Sequence, residues 1–284
     1  MPITYNDAFY QLLAPLKLVY DEREAAAIAH EALEHLTGLK KLDRIIKKDE
    51  QLSDKQQLQY EIMKTDLAAG KPLQYVTGTA WFMGRPFKVD SNVLIPRPET
   101  EELVSWIAGD YFKQSPELLD IGTGSGCIPI SLKLALPDSI IYSCDVSADA
   151  LAIAEENAGR LEVEVELFQL DFLNEAQREV LSAFDVIVSN PPYIPQSEAA
   201  NIHTNVKDHE PHLALFVPND DPLLFYRAIA SFGKTHLKSG GAIYCELHAD
   251  HAKETEELFR SKGYGDVTLR TDMHGNPRML KALL

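Results

Sequence analysis

Hydrophobic and polar positions along the chain change their rhythm once, near residue 75. Before that point, small and apolar residues recur at helical spacing. "DEREAAAIAHEALEHLTG" (residues 21–38) predicts a helix closed by Gly38. "SDKQQLQYEIMKTDLAAG" (53–70) predicts a second, capped by Ser53 and stopped by Gly70. "KKLDRIIKKDEQL" between them is a shorter amphipathic piece, and nothing in this region has a strand pattern. The aromatic and β-branched stretch "TAWFMGRPFKVDSNVLIP" (79–96), with "MGRP" at its middle, predicts a hairpin linking two domains. Beyond Pro96, apolar runs alternate with helical segments: "ELLDIG", "IIYSCDVS", "VELFQLD", "FDVIVSN", "GAIYCELH", "VTLRT" and "RMLKALL". Such alternation builds an α/β domain with a mostly parallel sheet covered on both faces. Only "DMHGNP" separates the last two strands, too little for a crossover, so they should pair antiparallel. The expected organisation is a helical N-terminal domain (1–75), a hairpin linker (76–96) and an α/β domain (97–284).

Composition narrows the class of protein. A chain of 284 residues, 45% hydrophobic, can form one large and one small core. No stretch approaches a membrane span, and "MPITYNDAFYQLL" lacks the basic and apolar regions of a secretion signal. Cys127, Cys144 and Cys245 are far apart, without metal-ligand spacing, and fit reduced thiols of a cytoplasmic protein. The histidines at 203, 209, 212, 248 and 251 do not form a metal set, so no metal is expected. The net charge of −16 argues against free-standing affinity for nucleic acid, and nothing demands more than a monomer.

Candidate chemistry begins at "LLDIGTGSGCIPISL", where Gly122, Gly124 and Gly126 lie between a strand and a helix. Glycines there allow a sharp turn and let a ligand rest on bare backbone at a helix N-terminus. One residue, Ser125, separates the second and third glycines, whereas a dinucleotide fingerprint has two, and there is no P-loop lysine. A tight packing turn is the plainer alternative. Asp145 ends the next strand, where a carboxylate can accept both hydroxyls of a ribose, although it or Ser147 can also cap the following helix. Asp171 and Phe172 follow the third strand and can hold the amino group and face of an adenine; an ordinary strand end is the alternative.

The fourth strand leaves through "VSNPPYIP" (188–195). Back-to-back prolines remove two backbone donors and fix two φ angles, so regular structure stops there. What they hold is one amide, Asn190, and one ring, Tyr193, on the same sheet rim as the glycine loop. The Asn190 side chain and the Pro191 carbonyl offer acceptors, and Tyr193 offers a flat face. The set suits a planar group bearing NH2, with positioning and desolvation supplying most of the rate.

"LLDIGTGSG", Asp145 and "NPPY" together resemble S-adenosylmethionine-dependent methyltransferases with a seven-stranded, Rossmann-like class I sheet. "PLQYVTGTAWFMGRPFKVDSNVLIPRPETEELV" (72–104) is similar to the linker signature of HemK-type release-factor glutamine methyltransferases, and the likeness runs essentially end to end. The resemblance implies transfer of methyl from S-adenosylmethionine, leaving S-adenosylhomocysteine. The acceptor it implies is the glutamine N5 of the Gly-Gly-Gln motif in class I peptide-chain release factors. By position it implies a cofactor site at Gly122, Thr123, Gly124, Ser125, Gly126, Asp145, Asp171, Phe172 and Asn190. Phe172 stands where the family often has tryptophan. Asn190, Pro191, Pro192 and Tyr193 fall on the glutamine clamp, with Asn190, Pro191 and Tyr193 as its catalytic members. Arg97, just before "PETE", is expected near the cofactor. The polar stretch "QSEAANIHTNVKDHEPHLALF" (196–216) is expected to be a flap over the substrate.

Three rival functions remain open on the sequence. Glutamine methylation of a ribosomal protein shares "NPPY" but not the "IPRPETE" segment. An adenine-N6 nucleic-acid methyltransferase needs a phosphate-binding surface and a way to flip a base. A nicotinamide oxidoreductase is disfavoured by the glycine spacing and by "NPPY".

Overall fold

The structure is a computed structural model and describes residues 2–284. Its contacts divide the chain into two compact units. The first comprises residues up to Thr79 with His203–His209, the second Ala80–Ile202 with Glu210–Leu284.

The first unit is helical: α1 (Tyr5–Leu16), α2 (Glu22–Thr37), α3 (Lys41–Ile46), α4 (Asp54–Ala68) and α5 (Leu73–Thr77). Local signals set the ends. Thr4 and Ser53 each make a reciprocal capping box, with Asp7 and Gln56, and Gly38 closes α2 at φ 70°. Ala8, Leu12 and Leu16 of α1 repeat every four residues and pack on Ala25, Ala29 and Leu33 of α2. The Tyr60 hydroxyl of α4, buried among them, donates to the Ala8 carbonyl at 2.8 Å.

The hairpin β1 (Thr79–Phe82) and β2 (Arg85–Lys88) turns on Met83 and Gly84, both at positive φ, the twist a two-residue hairpin needs. Chain order then runs α6 (Pro98–Asp110), β3 (Glu117–Ile121), α7 (Cys127–Ala135), β4 (Ile140–Asp145), α8 (Ala148–Arg160), β5 (Glu166–Gln169), α9 (Glu175–Arg178) and β6 (Phe184–Ser189). After β6 come β7 (Ile194–Pro195), α10 (Thr204–His209), α11 (His212–Leu215), β8 (Phe216–Val217) and α12 (Leu224–His236). The chain closes with β9 (Leu237–Glu246), α13 (Ala252–Ser261), β10 (Asp266–Thr271) and β11 (Pro277–Leu283).

Seven strands form one sheet in the order β10-β11-β9-β6-β3-β4-β5, at the seven apolar runs. Five are joined by parallel pairing; β11 lies between β9 and β10 and is antiparallel to both, so it alone runs against the other six. The five residues between β10 and β11 permit only that return. Alternation along the strands divides the core. Leu119 and Ile187 pack with Tyr226 and Ile229 of α12, whereas Leu118, Val186 and Val188 pack with Leu103 and Ile107 of α6. The order reverses about β3, and ligands bind at the carboxyl ends of strands at such a switch point. Among the described residues, no helix is long and apolar enough to cross a membrane.

Candidate active site

Strand register assembles the site. Cys144, Ile121, Ser189 and Cys245 form one row across β4, β3, β6 and β9. The next residue of each strand is Asp145, Gly122, Asn190 and Glu246, so four polar or bare positions emerge side by side at the carboxyl edge.

A cavity of about 480 Å³ opens above that edge. Gly122, Thr123, Gly124 and Ser125 line it, as do Asp145, Asp171 and Phe172, and on the other side Asn190, Pro192, Thr100 and Arg97. Sites for small ligands span roughly 300–1,000 Å³. Gly126, Pro191 and Tyr193 are not part of this wall. Gly126 serves packing instead. At φ 80°, a Cβ there would lie 2.9 Å from Ile130 Cδ1 and 3.1 Å from Ala154 Cβ, so only glycine lets the loop settle between α7 and α8.

Asp145 braces the glycine loop. Its Oδ2 accepts from Gly124 N at 2.9 Å and its Oδ1 from Ser147 N at 2.9 Å. Each oxygen keeps a further lone pair, enough for the two hydroxyls of a ribose. Capping of α8 falls to Ser147, whose Oγ accepts from Ala150 N. The hydroxyl oxygens of Thr123 and Ser125 are buried beside Asp120 and Cys127 and make no hydrogen bond of good geometry. Below them Asp120 is fully buried, with Oδ2 accepting from Ser143 Oγ at 2.6 Å and Oδ1 accepting nothing. Burial pushes the Asp120 carboxyl up to about 7, against the pull of the Ser143 hydroxyl.

Phe172 is buried, edge-on to Phe232 at 5.3 Å, with the Arg178 guanidinium 5.5 Å from its ring centroid. Asp171 is exposed, and its Oδ1 accepts from Leu173 N at 3.0 Å. Arg97 pairs with the buried Glu210 at 2.5 Å, and Glu210 also accepts from Ile95 N at 3.2 Å. That carboxylate ties the loop before α6 to the stretch that follows the double proline. Within the same stretch, Pro211 and Leu213 line the cavity.

The Asn190 side chain donates from Nδ2 to Thr100 Oγ1 at 3.2 Å, and Thr100 donates to Glu246 Oε2 at 2.6 Å. The Tyr193 hydroxyl donates to Glu246 Oε1 at 3.2 Å, while its ring meets His248 edge-on. Tyr193 therefore stands behind Asn190, joined to it through Glu246 and Thr100. Burial raises the pKa of Glu246, opposed by the Thr100 hydroxyl, the Arg278 guanidinium and the Tyr193 hydroxyl. The three cysteines are buried and free, and burial pushes the Cys127 thiol up to about 12.

Comparison with known proteins gives this geometry a family. Residues 100–213 match the Methyltransferase small domain, and residues 16–78 match the PrmC N-terminal domain. A release factor glutamine methyltransferase of Flavobacterium psychrophilum is 42% identical over 281 residues, covering 98% of this chain and 97% of that protein. The chain belongs to the release factor glutamine methyltransferase family. Its counterpart in Bacteroides thetaiotaomicron is 40% identical over 270 residues, 94% of this chain and 95% of that protein. A methyltransferase structure from Pyrococcus furiosus superposes with a TM-score of 0.53 at 16% identity, over 81% of this chain and 98% of that one, a likeness of fold. This member of the family is accordingly a methyltransferase.

Sequence reasoning reached the cavity wall but missed what supports it: Thr100, Asp120, Glu210 and Glu246. Two of these carried a signal. Asp120 and Glu246 are acids inside otherwise apolar strands, "ELLDI" and "AIYCEL", where an unpartnered charge would be costly.

Proposed function

We propose that this enzyme transfers a methyl group from S-adenosylmethionine to the N5 nitrogen of a glutamine side chain. The glutamine is that of the Gly-Gly-Gln motif of class I peptide-chain release factors. The observation that carries the reading is the single cavity shared by Asn190, the glycine loop and Asp145. Relatives named for this substrate, matching along nearly the whole chain, support it further.

The cavity fits such a cofactor. Two buried hydroxyls without a well-formed hydrogen bond, on Thr123 and Ser125, lie beside bare glycine backbone, and Asp145 retains acceptor capacity. When bound, S-adenosylmethionine supplies a sulfonium-activated methyl group and departs as S-adenosylhomocysteine. Asp145 would accept the ribose hydroxyls, Gly122–Ser125 would give backbone to the methionine portion, and Asp171 with Phe172 would border the adenine. Asn190 Oδ1 would accept one hydrogen of the target NH2, and the family resemblance gives the other to the Pro191 carbonyl, although Pro191 does not line the cavity. That turns the nitrogen lone pair away from its own carbonyl and towards the methyl carbon. Methyl transfer would form the N–C bond as the sulfonium S–C bond breaks, and alignment in a dry cavity would supply most of the rate. The alkylated nitrogen would be acidic enough to lose its extra proton to water, so no strong base is required. Pro192 shapes the wall and Tyr193 braces the clamp from behind. On this reading the enzyme works in the cytoplasm, as a monomer, on protein and not on nucleic acid.

The test is transfer of labelled methyl from S-adenosylmethionine to an unmodified class I release factor. Label in the release factor is the expected result. Label only in ribosomal protein or nucleic acid, with the release factor blank, overturns the substrate.

A further inference from the structure

An asparagine amide has two ends of nearly equal shape and opposite hydrogen-bonding character. Rotation of its terminal torsion by 180° exchanges them, and that torsion is soft and roughly two-fold. A clamp for an NH2 group works only if the oxygen faces the target; the reversed amide would set donor against donor. Pro191 and Pro192 fix the backbone at Asn190 but not this choice.

We propose that Glu246, acting through Thr100, sets the polarity of the Asn190 amide so that its oxygen faces the cavity. The reasoning is a count of hydrogens. The relay requires Glu246 as a carboxylate, which has only acceptors, so that the Thr100 hydroxyl, 2.6 Å from Glu246 Oε2, points its one hydrogen there. What Thr100 turns to Asn190 is then a lone pair. Only Nδ2 can meet it, at 3.2 Å, and Oδ1 is left as the end towards the cavity.

The fold holds the head of this relay still and surrounds it with donors that work against the burial raising its pKa. The Tyr193 hydroxyl donates to the second carboxylate oxygen, and the Arg278 guanidinium adds its charge from β11. The Tyr226 hydroxyl donates to the Glu246 backbone carbonyl at 3.0 Å. Glu246 is 2% exposed, and a buried carboxylate is a costly feature that the apolar packing of β9 does not call for. Glu246 and Thr100 are thus positioning residues. The inference deepens the function proposed above and rests on it only for the identity of the acceptor NH2.

Neutron diffraction from deuterated crystals near pD 7 reads the polarity with no substrate present. The expected map has one deuterium on Thr100 Oγ1 directed at Glu246, none on Glu246, and both Asn190 deuteriums beside Thr100. A Thr100 deuterium directed at Asn190 overturns the relay. In solution, Thr100→Val should lower kcat about tenfold or more while the Kd for S-adenosylmethionine moves less than about twofold. Thr100→Ser, which keeps the hydroxyl, should stay within about threefold of wild type in kcat. Val as active as wild type, or Ser as slow as Val, overturns it as well. If the wild type transfers nothing to release factors, the substrate reading fails and the neutron map still decides the relay. Should Thr100→Val not fold, Thr100→Ser and the map remain decisive.

Discussion

The side chain of Asn157, fully buried on α8, donates to the Ser125 carbonyl of the glycine loop at 2.9 Å. The same Nδ2 reaches the Lys88 carbonyl at 2.9 Å, and Oδ1 accepts from Lys88 N at 2.6 Å. One amide therefore pins the hairpin strand β2 to the cofactor loop. Asn157→Ala would leave three backbone groups without partners, the buried Ser125 carbonyl and the half-buried N–H and carbonyl of Lys88. The expected loss of stability is about 2–4 kcal/mol. Chemical denaturation measures it, and calorimetry should show weakened binding of S-adenosylmethionine in the same variant. Unchanged stability would remove Asn157 from the loop's support.

Two glycines of the loop do different work and should fail differently. Gly126→Ala drives a Cβ into Ile130 and Ala154, an overpacking that costs about 1–3 kcal/mol beyond the strain of its positive φ. Gly122 also has φ 80°, but nothing lies within 4 Å of its added Cβ. Gly122→Ala should lose only about 1 kcal/mol of stability from backbone strain. Its larger effect should be on affinity, because that Cβ points into space where a ligand would lie against the backbone. Thermal melts with cofactor titrations separate the two; equal losses of affinity with equal melting points would contradict the distinction.

How much of this was legible in the sequence depends on the range of the forces involved. Caps such as Ser53, terminators such as Gly38 and the alternation of Val186, Ile187 and Val188 are local, and the sheet followed from them. Asp145 and Asn190 were legible because each ends an apolar run, and strand ends share an edge in a parallel sheet. Gly126 was assigned to the cofactor site alongside its neighbours, because a glycine needed for packing and one needed for a ligand look alike in sequence. Tyr193 was read as a face for the substrate; what the sequence did not tell is that its ring meets His248 edge-on and its hydroxyl reaches Glu246. Pairings such as Thr100 with Glu246 or Arg97 with Glu210 join residues more than a hundred positions apart, and no local pattern encodes them.

Asp120 gives the enzyme a pH signature in stability. Its carboxyl, ordinarily at 3.8, is pushed up to about 7 by burial. The folded form thus holds the proton more tightly than the unfolded chain. The resulting stabilisation is complete below about pH 4 and is lost as pH rises through about 7. Asp120→Asn, which carries no titrating group, should lack this component. The stability of the wild type minus that of the variant should therefore fall between those pH values, by an amount on the order of a few kcal/mol. A flat difference across that window would mean that Asp120 is not held as a buried acid.

The measurement that tests the central claim most directly is peptide mass spectrometry of an unmodified class I release factor after incubation with the enzyme and S-adenosylmethionine. Wild type and Asn190→Ala would be run side by side, with cofactor binding measured in both. The account predicts one added methyl group on the Gly-Gly-Gln glutamine with the wild type. With Asn190→Ala it predicts none, at a cofactor Kd within about threefold of wild type. Methylation of that glutamine by Asn190→Ala at the wild-type rate would contradict the clamp. A methyl group on any other residue would contradict the substrate.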